Sequence, residues 1–135
     1  MTHTWLQIGA IVAGLAFADA VASAQTVKPQ PLVIPLDASK GYQELLTGAP
    51  QTSGVRSGLV RLQPGATVGW HTTGQHEETL VILHGQGAAL IEGQPDRPFA
   101  APAVAYIPPA TRHNVKNTGT GLLEYVYVVA PVTQK

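Results

Sequence analysis

The sequence predicts one all-β domain, of the sandwich or small-barrel kind, behind an N-terminal signal peptide. Short apolar runs rich in Val, Ile, Leu and Tyr are separated by turn-forming residues, and no long segment has a helical period. The 14 glycines and 11 prolines among 135 residues are typical of a turn-rich globular chain. This length supports one hydrophobic core but not two, so we expect a single domain.

Residues 1–24 are expected to be a signal peptide and not part of the fold. The apolar run from Ile8 to Ala18 is too short to span a bilayer. The tripeptide ASA at positions 22–24 matches the small-residue cleavage pattern, so the mature chain is expected to begin at Gln25. An uncleaved N-terminal anchor is the alternative, because no Lys or Arg precedes the apolar run. Cleavage would release a periplasmic or secreted protein with no attachment to the membrane.

Residues 25–57 are predicted to form an extended N-terminal arm and the first strand or strands. Three prolines between positions 29 and 35 prevent a helix and disfavour a central strand. An edge strand fits only near Leu32–Ile34. The segment Tyr42–Leu46 fits either a further strand or one turn of helix, and the local pattern does not decide between them.

Residues 58–131 are predicted to form the barrel core. Each apolar run ends at a cluster of Gly, Pro, Asn or Asp, as expected for strands joined by tight turns. The predicted strands are Gly58–Leu62, Ala66–Trp70, Thr79–Leu83, Ala88–Glu92, Val104–Ile107, His113–Lys116 and Leu122–Val129. The last of these is apolar on both faces apart from one Glu, which favours cover on both sides and is compatible with a homodimer.

The charge balance and the lack of cysteine exclude several functions. Lys plus Arg and Asp plus Glu each total 8, so no basic field recruits nucleic acid or anionic lipid. Without cysteine there are no disulfides, thiolate nucleophiles or iron–sulfur clusters. Any metal must therefore be held by His, Asp and Glu.

The histidines of the expected mature chain are clustered in its middle. His71, His76, His84 and His113 are the four, and a glutamate, Glu78, follows closely after the second. Alternation along the strand places His76 and Glu78 on one face. A later strand of a closed barrel can bring His113 to the same interior point. His84 precedes a glycine turn and is expected to be an ordinary polar residue.

The segment GATVGWHTTGQHEETLVILHG, from Gly65 to Gly85, resembles the first motif of the cupin superfamily. That motif reads G-x(5)-H-x-H-x(3,4)-E-x(6)-G. The spacing of Gly65, His71, Glu78 and Gly85 matches it. The second His of the motif is replaced here by Thr73.

The segment PPATRHNVKN, at positions 108–117, is similar to the second cupin motif, P-x-G-x(2)-H-x(3)-N. Ala110 takes the place of the motif glycine, and His113 falls on its histidine. The resemblance runs from about Leu59 to Pro131 and is to small single-domain cupins of the conserved-barrel kind.

The resemblance implies a cupin-like jelly-roll β-barrel that binds one divalent metal ion in its interior. It places His71, Glu78 and His113 on ligand positions. We expect His76 to substitute for the histidine that Thr73 replaces, and a three-ligand site with more open coordination is the alternative. The ion could be Fe, Mn, Ni, Cu, Co or Zn, and the residues do not select among them.

The function must come from this site, because the barrel hosts enzymes and binding modules alike. We expect a metal-dependent enzyme, either an oxidoreductase of the dioxygenase type or an isomerase, that acts on a small organic molecule. The alternative is a non-catalytic accessory protein that binds a metal or a sugar. The sequence shows no Ser-His-Asp pattern and no phosphate-binding glycine loop.

Overall fold

Eight β-strands form two antiparallel sheets in a computed structural model, which describes residues 27–133. The strands are β1 (Tyr42–Thr47), β2 (Arg56–Leu62), β3 (His76–His84), β4 (Gln86–Ile91), β5 (Arg97–Ala100), β6 (Ala103–Ile107), β7 (His113–Asn117) and β8 (Leu123–Pro131). The predicted signal peptide and its cleavage site lie outside the described residues. Within residues 27–133 no helix is long and apolar enough to cross a membrane.

The two sheets face each other, and two buried hydrophobic clusters lie between them. The larger sheet has the strand order β1-β2-β8-β3-β6, and the smaller has the order β5-β4-β7. Leu80 and Tyr125 of the larger sheet pack in the same buried cluster as Val115 of the smaller sheet. This arrangement confirms the predicted all-β fold and its jelly-roll β-barrel architecture.

Strand β3 supplies the interior of the barrel through strict alternation. Glu78, Leu80 and Ile82 are 5%, 0% and 1% exposed, whereas the residues between them are only partly buried. Its neighbour β8 pairs Val129 with Glu78 and Tyr127 with Leu80, so these partners share the inner face. A buried carboxylate therefore lies among apolar side chains, where it needs a charged or metal partner.

The predicted strand Ala66–Trp70 is wrong as a continuous strand. The segment runs antiparallel along β7, with isolated bridges at Thr67 to Lys116 and at His71 to His113. Thr67 and His71 are four residues apart, whereas their partners Lys116 and His113 are three residues apart. One extra residue is therefore inserted between the two bridges. Gly69 has a φ of 92°, which a glycine adopts without strain. The resulting bulge breaks the ladder just before His71.

The N-terminal arm lacks the edge strand considered near Leu32–Ile34, since no regular structure precedes residue 38 in the described part of the chain. Side-chain amides hold the arm instead. Gln43 donates to the Pro35 carbonyl at 3.0 Å and accepts from the Asp37 amide at 2.8 Å. The segment Tyr42–Leu46, which fitted strand or helix, belongs to a strand.

Strand β5, Arg97–Ala100, was not predicted from the sequence. It has four residues, and the second is a proline, which removes one donor. The strand lies at the edge of the smaller sheet and pairs only with β4. A proline is tolerated there because no further strand needs its missing N–H.

Candidate metal centre

Three of the four predicted ligand residues meet at one place in the barrel, where two of them are buried and one is exposed. His71 follows the bulge, Glu78 lies on β3, and His113 begins β7. One imidazole nitrogen from each histidine and one carboxylate oxygen lie within 4.8 Å of one another. Two backbone hydrogen bonds of 2.9 Å join His71 to His113, and their ring centroids are 4.4 Å apart. The barrel thus presents two imidazoles and one carboxylate at one point.

Both histidines are oriented in the same way by the backbone. The Nδ1 of His71 lies 2.9 Å from the carbonyl of Gly69, and the Nδ1 of His113 lies 2.9 Å from the carbonyl of Thr111. A carbonyl only accepts, so each Nδ1 carries the proton and donates it. This leaves each Nε2 as the atom for a metal or a proton, and the hydrogen bond fixes the ring, as is usual for metal-binding histidines.

Glu78 and His113 form a buried pair that the protein alone does not satisfy. The Oε2 of Glu78 and the Nε2 of His113 are 3.1 Å apart, and the two side chains are 6% and 0% exposed. Neither atom has an aligned hydrogen-bond partner. Leaving such an atom unpaired costs about 1–3 kcal/mol, and more when the group is charged. A cation bound between them would satisfy both atoms, so this donor set fits a divalent metal.

The environment of His113 favours its positively charged form. Burial acts to lower the pKa of His113, but its contact with Glu78, its hydrogen bond to Thr111 and the Glu78 charge outweigh that effect. The net result is a pKa raised above the ordinary value of 6.5.

A cavity of about 600 Å³ adjoins this centre, and His71 and Glu78 are part of its wall. Most of the remaining wall is apolar and comes from both sheets. It includes Val60, Leu62, Val68, Val115, Tyr125 and Val129. Cavities of this size and character are typical sites for small organic ligands.

Two tyrosine hydroxyls meet within the lining of this cavity. The hydroxyls of Tyr42 and Tyr127 are 2.9 Å apart. The Tyr127 ring lies directly over Gly58, where an added Cβ would come within 2.7 Å of the ring. Glycine at this position therefore provides the space that the ring occupies. Burial, followed by the hydrogen bond to Tyr42, raises the pKa of Tyr127, so its phenol is protonated near neutral pH.

Sequence reasoning missed Arg56, which also lines the cavity. It is the first residue of β2 and lies two residues before the predicted strand Gly58–Leu62. Its side-chain stem lies against Gly48, because a Cβ there would be 3.2 Å from Cγ of Arg56. A lone arginine before an apolar run has no distinguishing sequence signal. Only the strand order places it on the inner face with Glu78.

His76 is not among the residues whose donor atoms meet at the centre. It is the first residue of β3, and its Nδ1 lies 3.2 Å from the Thr73 carbonyl. Thr73 lines the cavity, but its hydroxyl donates to the His76 carbonyl at 2.9 Å. His84 has a side chain that is 77% exposed, at the far end of the same strand. The structure thus brings three predicted residues together, and a fourth ligand stays a prediction.

Comparison of the chain with known proteins finds one matching family model and several matching solved structures. The family model described as "Cupin domain" matches residues 58–129. No curated protein matches the chain. Solved structures do match. Because they are less than 25% identical to this chain, the matches show a shared fold alone.

Three solved structures illustrate the match. A Cupin 2 conserved barrel domain protein from Salinispora arenicola is 23% identical, with a TM-score of 0.61 over 74% of this chain and 88% of that one. A protein from Bacillus halodurans is 21% identical, with a TM-score of 0.65 over 79% and 86%. A Thermotoga maritima protein described as a predicted oxalate decarboxylase is 21% identical, with a TM-score of 0.55 over 73% and 100%.

Proposed function

The chain belongs to the cupin domain family, and from this premise we propose that it is an exported metal-dependent enzyme acting on a small organic molecule. The proposed site holds one divalent ion through His71, Glu78 and His113. The substrate binds in the adjoining cavity. Among the reaction types considered, we favour an oxidoreductase of the dioxygenase type.

One observation carries the proposal. The Oε2 of Glu78 and the Nε2 of His113 are buried and lack aligned hydrogen-bond partners, and a nitrogen of His71 lies within 4.8 Å of the same group. A purely structural pair would gain by pairing these atoms with donors or acceptors nearby. The lack of an aligned hydrogen-bond partner at both atoms, beside a cavity, supports a site that receives an ion.

The ligand set supports the favoured reaction type. Two histidines and one carboxylate with open positions are typical of non-haem iron oxygenases. An ion held this way would supply a Lewis acid and a place for substrate and dioxygen. His71 and His113 would keep their Nε2 atoms aimed at it through their Nδ1 hydrogen bonds. The apolar wall would exclude water from the reacting molecule.

An enzyme of this kind needs a coordination position on the ion that the protein does not fill. In an accessory protein with a structural ion, protein ligands fill every position. The test is cobalt(II) loading of the purified chain, followed by its visible absorption spectrum with and without azide. We expect one cobalt ion per chain and a spectrum that azide changes, because azide occupies the open position. One cobalt ion with a spectrum unaffected by azide would favour the accessory function. No bound cobalt would contradict the site.

Thr73 and His76 need a separate control, because the sequence favoured His76 as a fourth ligand. A three-ligand centre predicts that His76→Ala and Thr73→Val bind cobalt about as tightly as the wild type. If His76 moves to the ion in the loaded protein, His76→Ala should instead weaken binding as much as His71→Ala does.

A further inference from the structure

The cavity wall contains a cationic side chain that neither the metal centre nor an ion pair uses in the described part of the chain. Arg56 lines the cavity, and no ion pair or side-chain hydrogen bond engages it within residues 27–133. The other lining arginine, Arg61, is already held by the Glu124 carboxylate through Nε and by the carbonyls of Asp37 and Lys40 through Nη1. Arg56 is therefore the free cation of this wall in the described part of the chain.

The strand register places Arg56 in line with the metal ligands. Arg56 of β2 pairs with Val129 of β8, which pairs with Glu78 of β3. Directly paired residues share a face, so Arg56 and Glu78 lie on the same inner face, two strands apart. Two strand spacings correspond to about 9.5 Å between their Cα atoms. A small molecule between the two residues could contact both an ion at Glu78 and the guanidinium of Arg56.

The neighbouring hydroxyl pair adds a hydrogen-bond donor at the same wall. Positions 56 and 58 are consecutive inward positions of β2, and the Tyr127 ring lies over Gly58. In the contact between Tyr42 and Tyr127 one hydroxyl donates to the other. The second proton of the pair stays free to donate. A guanidinium and a hydroxyl donor together suit an anionic oxygen group.

We propose that the molecule bound in this cavity is an organic acid whose carboxylate is held by the guanidinium of Arg56. Arginine presents a planar fork of N–H donors that matches a carboxylate at two points. The apolar wall between Arg56 and the metal ligands contacts the carbon skeleton. Glu44 also lines the cavity but forms no ion pair with Arg56. It disfavours a substrate with a second anionic group on its own side.

This inference rests on the proposed function for the assignment of the cavity as the substrate site, but Arg56 can be tested without the metal. The probes are glutarate and its neutral counterpart glutaramide, titrated into the 15N-labelled chain and followed by two-dimensional NMR. Titrations are run on chelator-treated protein and on zinc-loaded protein. Zinc stoichiometry is measured separately, so failure of the metal site is seen independently.

The variants are Arg56→Gln, Arg56→Lys, Glu44→Gln and, as a matched control outside this cavity, Arg97→Gln. We expect the wild type to prefer glutarate to glutaramide in both forms. Arg56→Gln should weaken glutarate binding about tenfold to hundredfold, the usual loss for a hydrogen-bonded charge, and leave glutaramide unchanged. Arg56→Lys should restore part of the affinity. Glu44→Gln should bind glutarate at least as tightly as wild type, and Arg97→Gln should match it.

Two results would overturn the inference. One is a wild type that binds glutarate no better than glutaramide in either form. The other is a preference for glutarate that survives in chelator-treated Arg56→Gln, since without zinc the carboxylate would then be held elsewhere. The NMR spectrum shows whether Arg56→Gln is folded. If it is unfolded, Arg56→Lys replaces it in the test. A glutarate affinity of Arg56→Lys equal to that of the wild type would then count against two-point recognition.

Discussion

Replacing His71 by alanine should remove most of the stabilisation that a metal ion gives the protein. His71 is the exposed member of the ligand group, so its loss disturbs the fold little. The backbone at this position stays held by two 2.9 Å hydrogen bonds to His113. In the metal-free protein we therefore expect only the loss of the Nδ1 hydrogen bond to Gly69, about 0.5–1.5 kcal/mol.

The metal-linked effect is larger and can be estimated. A free metal concentration of 100 times Kd stabilises the wild type by about 2.7 kcal/mol. Loss of a ligand should weaken binding by more than the tenfold to hundredfold seen when a supporting residue is lost. At the same metal concentration His71→Ala would then gain about 0.4 kcal/mol or less. With about 4 °C per kcal/mol for a domain near this size, the Tm increase falls from about 11 °C to about 2 °C.

The assay is thermal unfolding of each protein with chelator and with zinc. His84→Ala is the matched control, because His84 is also exposed and lies away from the group. It should gain as much from zinc as the wild type. Equal gains for His71→Ala and the wild type would show that His71 does not bind the ion, and no gain in the wild type would refute the site.

Three further predictions concern His76, the pairing of Glu78 with His113, and export. His76→Ala should keep most of the zinc-dependent Tm increase, and a loss as large as that of His71→Ala would make His76 a ligand. Because the pKa of His113 is raised, its pairing with Glu78 stabilises the metal-free protein fully below pH 6.5 and less as pH rises through that raised pKa. Zinc retention should change in the opposite direction. It should fall on acidification, because protons compete with zinc for the imidazoles. Urea unfolding across pH 5–9 with chelator, beside zinc content over the same range, checks both signs, and parallel trends would contradict them. The mature protein should begin after Ala24, and mass spectrometry of exported material that retained Met1 would refute cleavage there.

The sequence predicted the position of the Glu78 carboxylate because the pattern that places it lies within one strand. Alternation along the strand placed His76 and Glu78 on one face, the family resemblance placed Glu78 in the interior, and the structure shows Glu78 buried together with Leu80 and Ile82. The same parity applies to His76, but it does not specify height along the strand. His76 lies two residues nearer the strand end, about 6.6 Å from Glu78, and its ring faces the Thr73 carbonyl.

The parts that the sequence did not predict depend on distant segments. Tyr42 and Tyr127 are 85 residues apart and meet only because β1, β2 and β8 are neighbours in the sheet. Arg56 reaches the inner face with Glu78 through the same strand order. The bulge at Gly69 was missed because apolar residues around it follow a strand pattern, while its extra residue appears only against β7.

Anomalous diffraction from crystals of the cobalt-loaded protein tests the central claim most directly, because it locates the ion and its ligands together. We predict one strong peak per chain, bonded at about 2.0–2.2 Å to the Nε2 atoms of His71 and His113 and to Oε2 of Glu78. At least one further position on the ion should hold a water molecule facing the cavity. An ion bound elsewhere, or no ion at a concentration that saturates the protein, would contradict the account.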